Sequence, residues 1–77
     1  MDIQEFIQNF AEQFEETDSS VFAADTKFRE LDEWNSFLAL SIMAMVGAEY
    51  DVALNAAEMR SAQTIQELFD IVSAKLS

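Results

Sequence analysis

The chain has 77 residues, of which fifteen are acidic and four basic, so its formal net charge is −11. It contains neither His nor Cys, which removes the commonest general base, the usual transition-metal ligand, the thiol nucleophile and any disulfide. The length suits one domain over residues 1–77 and is too short for a deep, enclosed active site. We therefore expect a protein that is not an enzyme and has no metal site.

The acidity also predicts which partners the chain avoids. A surface with this charge repels nucleic acid and anionic membranes, and it attracts basic patches on other proteins. The N-terminal residues lack the basic start and long apolar run of a signal peptide, and no apolar stretch reaches transmembrane length. We expect a cytoplasmic monomer that binds no nucleic acid and does not insert into membranes.

The first predicted helix runs from Asp2 to about Glu16. A single glycine and the absence of proline favour helices over sheets throughout the chain. Asp2 is placed to accept hydrogen bonds from the amides of the first turn. The apolar residues of this segment recur at helical spacing and predict one buried stripe: Ile3, Phe6, Ile7, Phe10 and Phe14.

A long connection from Thr17 to Asn35 follows the first helix. Four large apolar residues lie within it, namely Phe22, Phe28, Leu31 and Trp34. Such anchors predict a loop that packs over the helices and includes a short helical turn. The acidic residues at its end could bind Mg²⁺ or Ca²⁺, but they lack the spacing and glycine of an EF-hand, which favours a solvated acidic loop.

The second predicted helix begins at Asn35–Ser36, where either residue can serve as the N-cap, and runs to about Tyr50. A core face is predicted for Leu38, Ile42, Met45, Val46 and Tyr50. The remaining faces are also apolar, especially at Leu40, Met43 and Ala44. This pattern leaves two interpretations open: a deeply buried helix, or a helix with an exposed surface for docking partners.

Two further helices complete the prediction. A short one covers residues 56–60 with Asn55 as its cap. The last begins at Thr64, which forms a capping box with Glu67. Its apolar stripe consists of Ile65, Leu68, Phe69, Val72 and Leu76. The predicted fold is therefore all-α, with three main helices, one short helix and a long first loop.

The segment before the second helix resembles a known family. The pattern Thr26-x-Phe28-x-x-Leu31-x-x-Trp34-Asn35-Ser36-Phe37 is similar to the attachment site of acyl carrier proteins, whose hallmark is Asp-Ser-Leu at the start of the second helix. The segment Arg60–Leu68 resembles the family's entry into its last helix. Together with the length, acidity and helix order, the resemblance covers nearly the whole chain and implies an acyl-carrier-like bundle.

The resemblance also implies a function and a site. A phosphopantetheinyl transferase would move the 4′-phosphopantetheine arm of coenzyme A onto the Ser36 hydroxyl, with Asn35 and Phe37 flanking it. The arm would then carry acyl groups as thioesters for fatty-acid or specialised, polyketide-like biosynthesis. The implied partners are the transferase and the acyl-transfer, ligase or synthase enzymes of that pathway.

Two departures from the family pattern support an alternative. Asn35 stands where the family usually has Asp, so the capping geometry is kept but a negative charge is lost. The second helix lacks the usual acids and instead offers Leu40, Met43 and Ala44 for partner docking by apolar contact. The alternative is a carrier-like helical interaction module that is loaded inefficiently because of Asn35.

Overall fold

The computed structural model describes residues 1–76, which form four α-helices and no strand. The helices are α1 (Ile3–Ala11), α2 (Ser36–Tyr50), α3 (Ala56–Ser61) and α4 (Ile65–Leu76). The radius of gyration is 11.2 Å, close to the value of about 11.5 Å expected for a compact chain of this length. The predicted all-α architecture of three main helices and one short helix is thus confirmed. Within the described residues, no helix combines the length and apolarity needed to cross a membrane.

Most of the predicted apolar stripe of the first helix faces the core, but Ile3 is only partly buried and does not belong to the core cluster. The Asp2 side chain caps the helix by accepting a 3.2 Å hydrogen bond from the Gln4 amide. Phe6 and Phe10 are fully buried. Phe6 meets Phe69 of α4 in an edge-on contact with ring centroids 5.5 Å apart. Helix α1 therefore packs against α4 through aromatic side chains.

The predicted end of the first helix near Glu16 is wrong, because α1 ends at Ala11. The Phe14 amide bonds to the Ala11 carbonyl at 3.0 Å, which is a tighter turn than the α-helical pattern. The next three amides are held by the carboxylate of Glu33, which lies far along the chain. A distant acceptor thus ends the helix, while Phe14 remains buried on the core.

The connection between α1 and α2 packs over the helices, as its apolar residues predict. It contains two 3₁₀ turns, Ser19–Val21 and Phe28–Glu30. Phe22 and Phe28 are buried, and the partly buried Trp34 packs at a tilt against Phe28, with ring centroids 4.9 Å apart. These contacts fix the path of the chain into the start of α2.

Four of the five predicted core residues of α2 are buried, namely Leu38, Ile42, Met45 and Val46, and the fifth, Tyr50, is partly buried. The Tyr50 hydroxyl accepts a 2.9 Å hydrogen bond from the side-chain amide of Asn9, which joins the end of α2 to α1. Asp51 then ends the helix in the left-handed conformation, with φ at 55°.

Both later helices begin with the predicted caps. Asn55 and Glu58 form a reciprocal capping box on α3, and Thr64 and Glu67 exchange hydrogen bonds of 3.1 and 3.2 Å at the start of α4. The buried stripe of α4 is also as predicted, except at Leu76, which is 49% exposed. Residues 74–76 are all exposed, so the last turn of α4 extends beyond the core.

Candidate functional site

Ser36 is the first residue of α2, and its side chain is exposed. The cap of this helix is Asn35, whose side-chain oxygen accepts a 2.9 Å hydrogen bond from the Leu38 amide. Within residues 1–76, the Ser36 hydroxyl makes no hydrogen bond. The sequence left open which of the two residues caps the helix. Because Asn35 does so, the hydroxyl of Ser36 is available for other chemistry.

An apolar cleft of about 500 Å³ opens beside Ser36, a volume within the range of small-molecule sites. Helix α2 contributes one wall through residues at helical spacing, and α3 contributes another. Trp34 of the preceding loop also lines the cleft. The lining from the two helices is Ser36, Ala39, Leu40 and Met43 of α2, with Ala56, Met59 and Arg60 of α3.

The structure brings together some, but not all, of the site residues predicted from the sequence. Asn35, Ser36, Leu40 and Met43 share the cleft, and Leu40 is 64% exposed while Met43 is half-buried. Phe37 is 73% exposed and borders a smaller hollow of about 160 Å³ that shares Asn35 with the cleft. The exposed Ala44 belongs to neither of these two linings.

Arg29 joins the loop to the end of α3. Its guanidinium donates hydrogen bonds to the carbonyls of Met59 and Ala62, the latter at 3.2 Å. Carbonyls at a helix C-terminus carry partial negative charge, so a cation there is favourable. Arg29 therefore holds α3 next to the segment that leads into Ser36, and it keeps the cleft in place.

The carboxylate of Glu33 anchors the same segment from the other side. It accepts hydrogen bonds of 2.9, 3.1 and 2.9 Å from the amides of Glu15, Glu16 and Thr17, and one of 2.7 Å from the Thr17 hydroxyl. The Glu15 amide and the Thr17 hydroxyl lower the pKa of Glu33 most. Since Glu33 lies three residues before Ser36, the segment that leads into α2 is fixed to the loop after α1.

Several lining residues escaped the sequence-based prediction. The sequence predicts Ala39 only as part of an apolar helix and Trp34 only as a loop anchor, although both line the cleft. Ala56 and Arg60 lie four residues apart, a spacing that places them on one face of α3. Nothing in the sequence said that this face would meet α2. Arg29 gave no local signal, because its partners are backbone carbonyls of a distant helix.

No family model, curated protein or solved structure matches this chain. Within residues 1–76, no group of three or more His, Cys, Asp or Glu side chains is arranged to hold a metal ion. The site is therefore best described by its own parts: a free serine hydroxyl at a helix start, an asparagine cap and an adjoining apolar cleft that carries two arginines.

Proposed function

We propose that this chain is an acyl carrier protein that holds acyl groups as thioesters on a 4′-phosphopantetheine arm at Ser36. The observation that carries the proposal is the exposed, unbonded Ser36 hydroxyl at the first turn of α2, where Asn35 has taken over capping. The resemblance of residues 26–37 to the family's attachment segment supplies the chemistry. The long first loop and the order of the helices agree with an acyl-carrier-like bundle.

In the loading step the chain is a substrate. The Ser36 oxygen forms a bond to the phosphorus next to the pantetheine of coenzyme A. The pyrophosphate bond breaks, adenosine 3′,5′-bisphosphate leaves with the electron pair, and a base of the transferase takes the hydroxyl proton. The first-turn amides and dipole of α2 favour the phosphodiester that remains on Ser36.

The surroundings of Ser36 suit a carrier in two further ways. The arm supplies a thiol to a chain that has no cysteine, and a cytoplasmic setting keeps such a thiol reduced. The cleft beside Ser36 offers an apolar surface for the arm or its cargo. Leu40, Met43 and Ala44 remain the proposed docking residues for synthase, ligase or acyl-transfer enzymes.

The loading experiment tests the function directly. Incubation with coenzyme A, Mg²⁺ and a broad-specificity phosphopantetheinyl transferase should add a single arm, measured as one mass shift. Ser36→Ala should abolish the shift, while Ser41→Ala, a matched change one turn further along α2, should leave it intact. Absence of loading in a reaction that modifies a control carrier would refute the proposal. Other serines should remain unmodified: Ser19, Ser20, Ser61, Ser73 and Ser77, the last of which lies outside the described residues.

Asn35 gives the experiment a second part. Asn35→Asp keeps an oxygen within reach of the Leu38 amide and restores the charge that the family usually has here. If the transferase uses that charge, the aspartate variant should load faster, and its advantage should shrink in high salt. Equal rates for the two forms would show that the capping geometry alone suffices.

The alternative is an interaction module that has lost efficient loading. The exposure of Phe37 at 73% and Leu40 at 64% favours it, because large apolar side chains at a surface often mark partner sites. The two functions differ in one measurable property. A module would bind its partner equally well with Ser36→Ala, whereas a carrier would lose its activity with that change.

A further inference from the structure

The cleft beside Ser36 differs in charge from the rest of the molecule. Fifteen acidic residues and only four basic ones make up the chain. Within residues 1–76, however, the cleft is lined by two arginines, Arg29 and Arg60, and by no carboxylate. Half of the basic side chains therefore lie at one apolar cleft. Such an arrangement favours a ligand that is apolar along its length and anionic at one point.

The two arginines differ in their availability. Arg29 is occupied, because its guanidinium donates to the carbonyls of Met59 and Ala62. Arg60 is exposed, and its guanidinium makes no hydrogen bond or ion pair within residues 1–76. Its nearest acidic neighbour on α3, Glu58, is instead paired with Lys75 at 2.9 Å. Arg60 is thus the cleft cation that is free to bind a ligand.

Guanidinium geometry identifies the group that Arg60 would bind. Its planar fork of N–H donors matches a carboxylate or phosphate, with two parallel hydrogen bonds. Apart from Ser36 and Arg60, the lining from α2 and α3 offers apolar contact, notably from Leu40, Met43 and Met59. An alkyl chain fits these residues, and the flexible methionines adapt to its shape.

We propose that the cleft selects acyl cargo with a carboxylate at the far end of the chain, and that Arg60 binds this carboxylate. The inference rests on the proposed function, because the cargo would reach the cleft on the arm at Ser36. The alkyl part would lie along Leu40, Met43 and Met59, with the thioester on the Ser36 side. Arg60 is then a specificity-determining residue, and no further catalytic group is required.

The test compares two cargoes that differ only at the far end. The transferase loads octanoyl or octanedioyl pantetheine from the corresponding coenzyme A thioester, and the lifetime of the thioester in neutral hydroxylamine is measured. On the natural chain, the octanedioyl thioester should last about two- to fivefold longer than the octanoyl one, as expected for a partly exposed ion pair. The same ratio measured on the free coenzyme A thioesters corrects for intrinsic reactivity.

Variants identify the residue responsible. Arg60→Gln should remove the difference between the two cargoes, and Arg60→Lys should restore part of it. Lys27→Gln is the matched control, since it deletes one exposed positive charge outside the cleft and should leave the difference intact. Amide chemical shifts at Met59 and Arg60 that respond to the octanedioyl cargo alone would give the same answer independently of reactivity.

The possible failures are distinguishable. Equal corrected lifetimes on a normally loaded chain would overturn the cargo inference and leave the proposed function intact. If Arg60→Gln shortened both lifetimes equally and shifted the phosphorus resonance of the empty arm, Arg60 would serve the phosphodiester, which also overturns it. A chain that accepts no arm from any thioester would refute both the function and the cargo.

Discussion

At the scale of single residues, Glu33 connects the two ends of the long loop. One carboxylate oxygen accepts from the amides of Glu16 and Thr17 and from the Thr17 hydroxyl, and the other accepts from the Glu15 amide. The partners are donors, so they stabilise the ionised form and lower the pKa of Glu33. The charge of Glu33 is therefore part of the structure that positions Ser36.

Replacing Glu33 by Gln should lower the melting temperature at neutral pH. The amide group of Gln supplies one acceptor oxygen and turns a donor toward the Glu15 amide, so at least one hydrogen bond is lost. Because the folded-state pKa lies below the ordinary value of 4.5, the carboxylate contributes stability above that value. This contribution is lost as the pH falls through the folded-state pKa. The difference between Glu33→Gln and the natural chain should therefore shrink on acidification.

A matched change on the same loop provides the control. Glu30→Gln removes the same charge from an exposed residue that accepts no side-chain hydrogen bond within residues 1–76. It should leave the melting temperature nearly unchanged or raise it slightly, because it relieves repulsion. Equal effects of the two substitutions would mean that the four hydrogen bonds to Glu33 do not stabilise the fold.

At the scale of elements, α2 is the helix whose burial the sequence could not decide. Its apolar residues surround the helix almost completely until Glu49. In the structure one side faces the core, where Leu38 is only 4% exposed, while Leu40 on another side is 64% exposed. One face of α2 is thus buried and another is exposed, and partner docking on the exposed face stays a prediction.

The contrast between these two leucines predicts a large difference in stability. Leu38→Ala should lower the free energy of unfolding by about 2–5 kcal/mol, since it opens a cavity in the core. Leu40→Ala should change it by no more than about 0.5 kcal/mol, because that side chain is already in water. Chemical denaturation of both variants measures the difference. Similar losses at both positions would show that Leu40 is packed in solution and would exclude it as a docking residue.

The start or end of a helix can be predicted from the sequence when the residues that determine it lie close together in the chain. The caps at Asn35, Asn55 and Thr64 each bond to amides within three residues, so the helix starts were readable. The end of α1 was not, because Glu33 holds the following amides from a distant part of the loop. One face of α3 can likewise be recognised from the local spacing of its residues. Its position across the cleft from α2 cannot, because that position depends on contacts between distant segments.

The candidate site likewise has one part that the sequence predicts and another part that it does not. The resemblance around Ser36 pointed to the attachment residue and its neighbours, and their exposure at the start of α2 agrees with that hypothesis. Arg29 had no place in the resemblance, and Arg60 entered it only as the first residue of the segment that resembles the start of the family's last helix. Their role depends on which helices meet, and a sequence pattern does not contain that information when the contacts are tertiary.

At the scale of the whole molecule, the net charge of −11 opposes compactness. The molecule measures 32 × 23 × 20 Å. At about 0.01 M salt the screening length is about 30 Å, so like charges repel one another across the entire structure. At about 0.15 M it falls to about 8 Å, which is shorter than every dimension of the molecule. Attractive ion pairs are few by comparison. Within residues 1–76 there is one, between Lys75 and Glu58.

Added salt should therefore raise the melting temperature over this range, because screening relieves many repulsive pairs and weakens a single, partly exposed attraction. Calorimetry or circular dichroism at increasing NaCl concentration measures the slope. A variant with Glu5→Gln in α1 and Glu12→Gln directly after it, both at exposed positions, should melt higher at low salt and depend less on salt. A melting temperature that stays constant or falls with salt would show that local contacts, and not the total charge, determine the electrostatic stability of this fold.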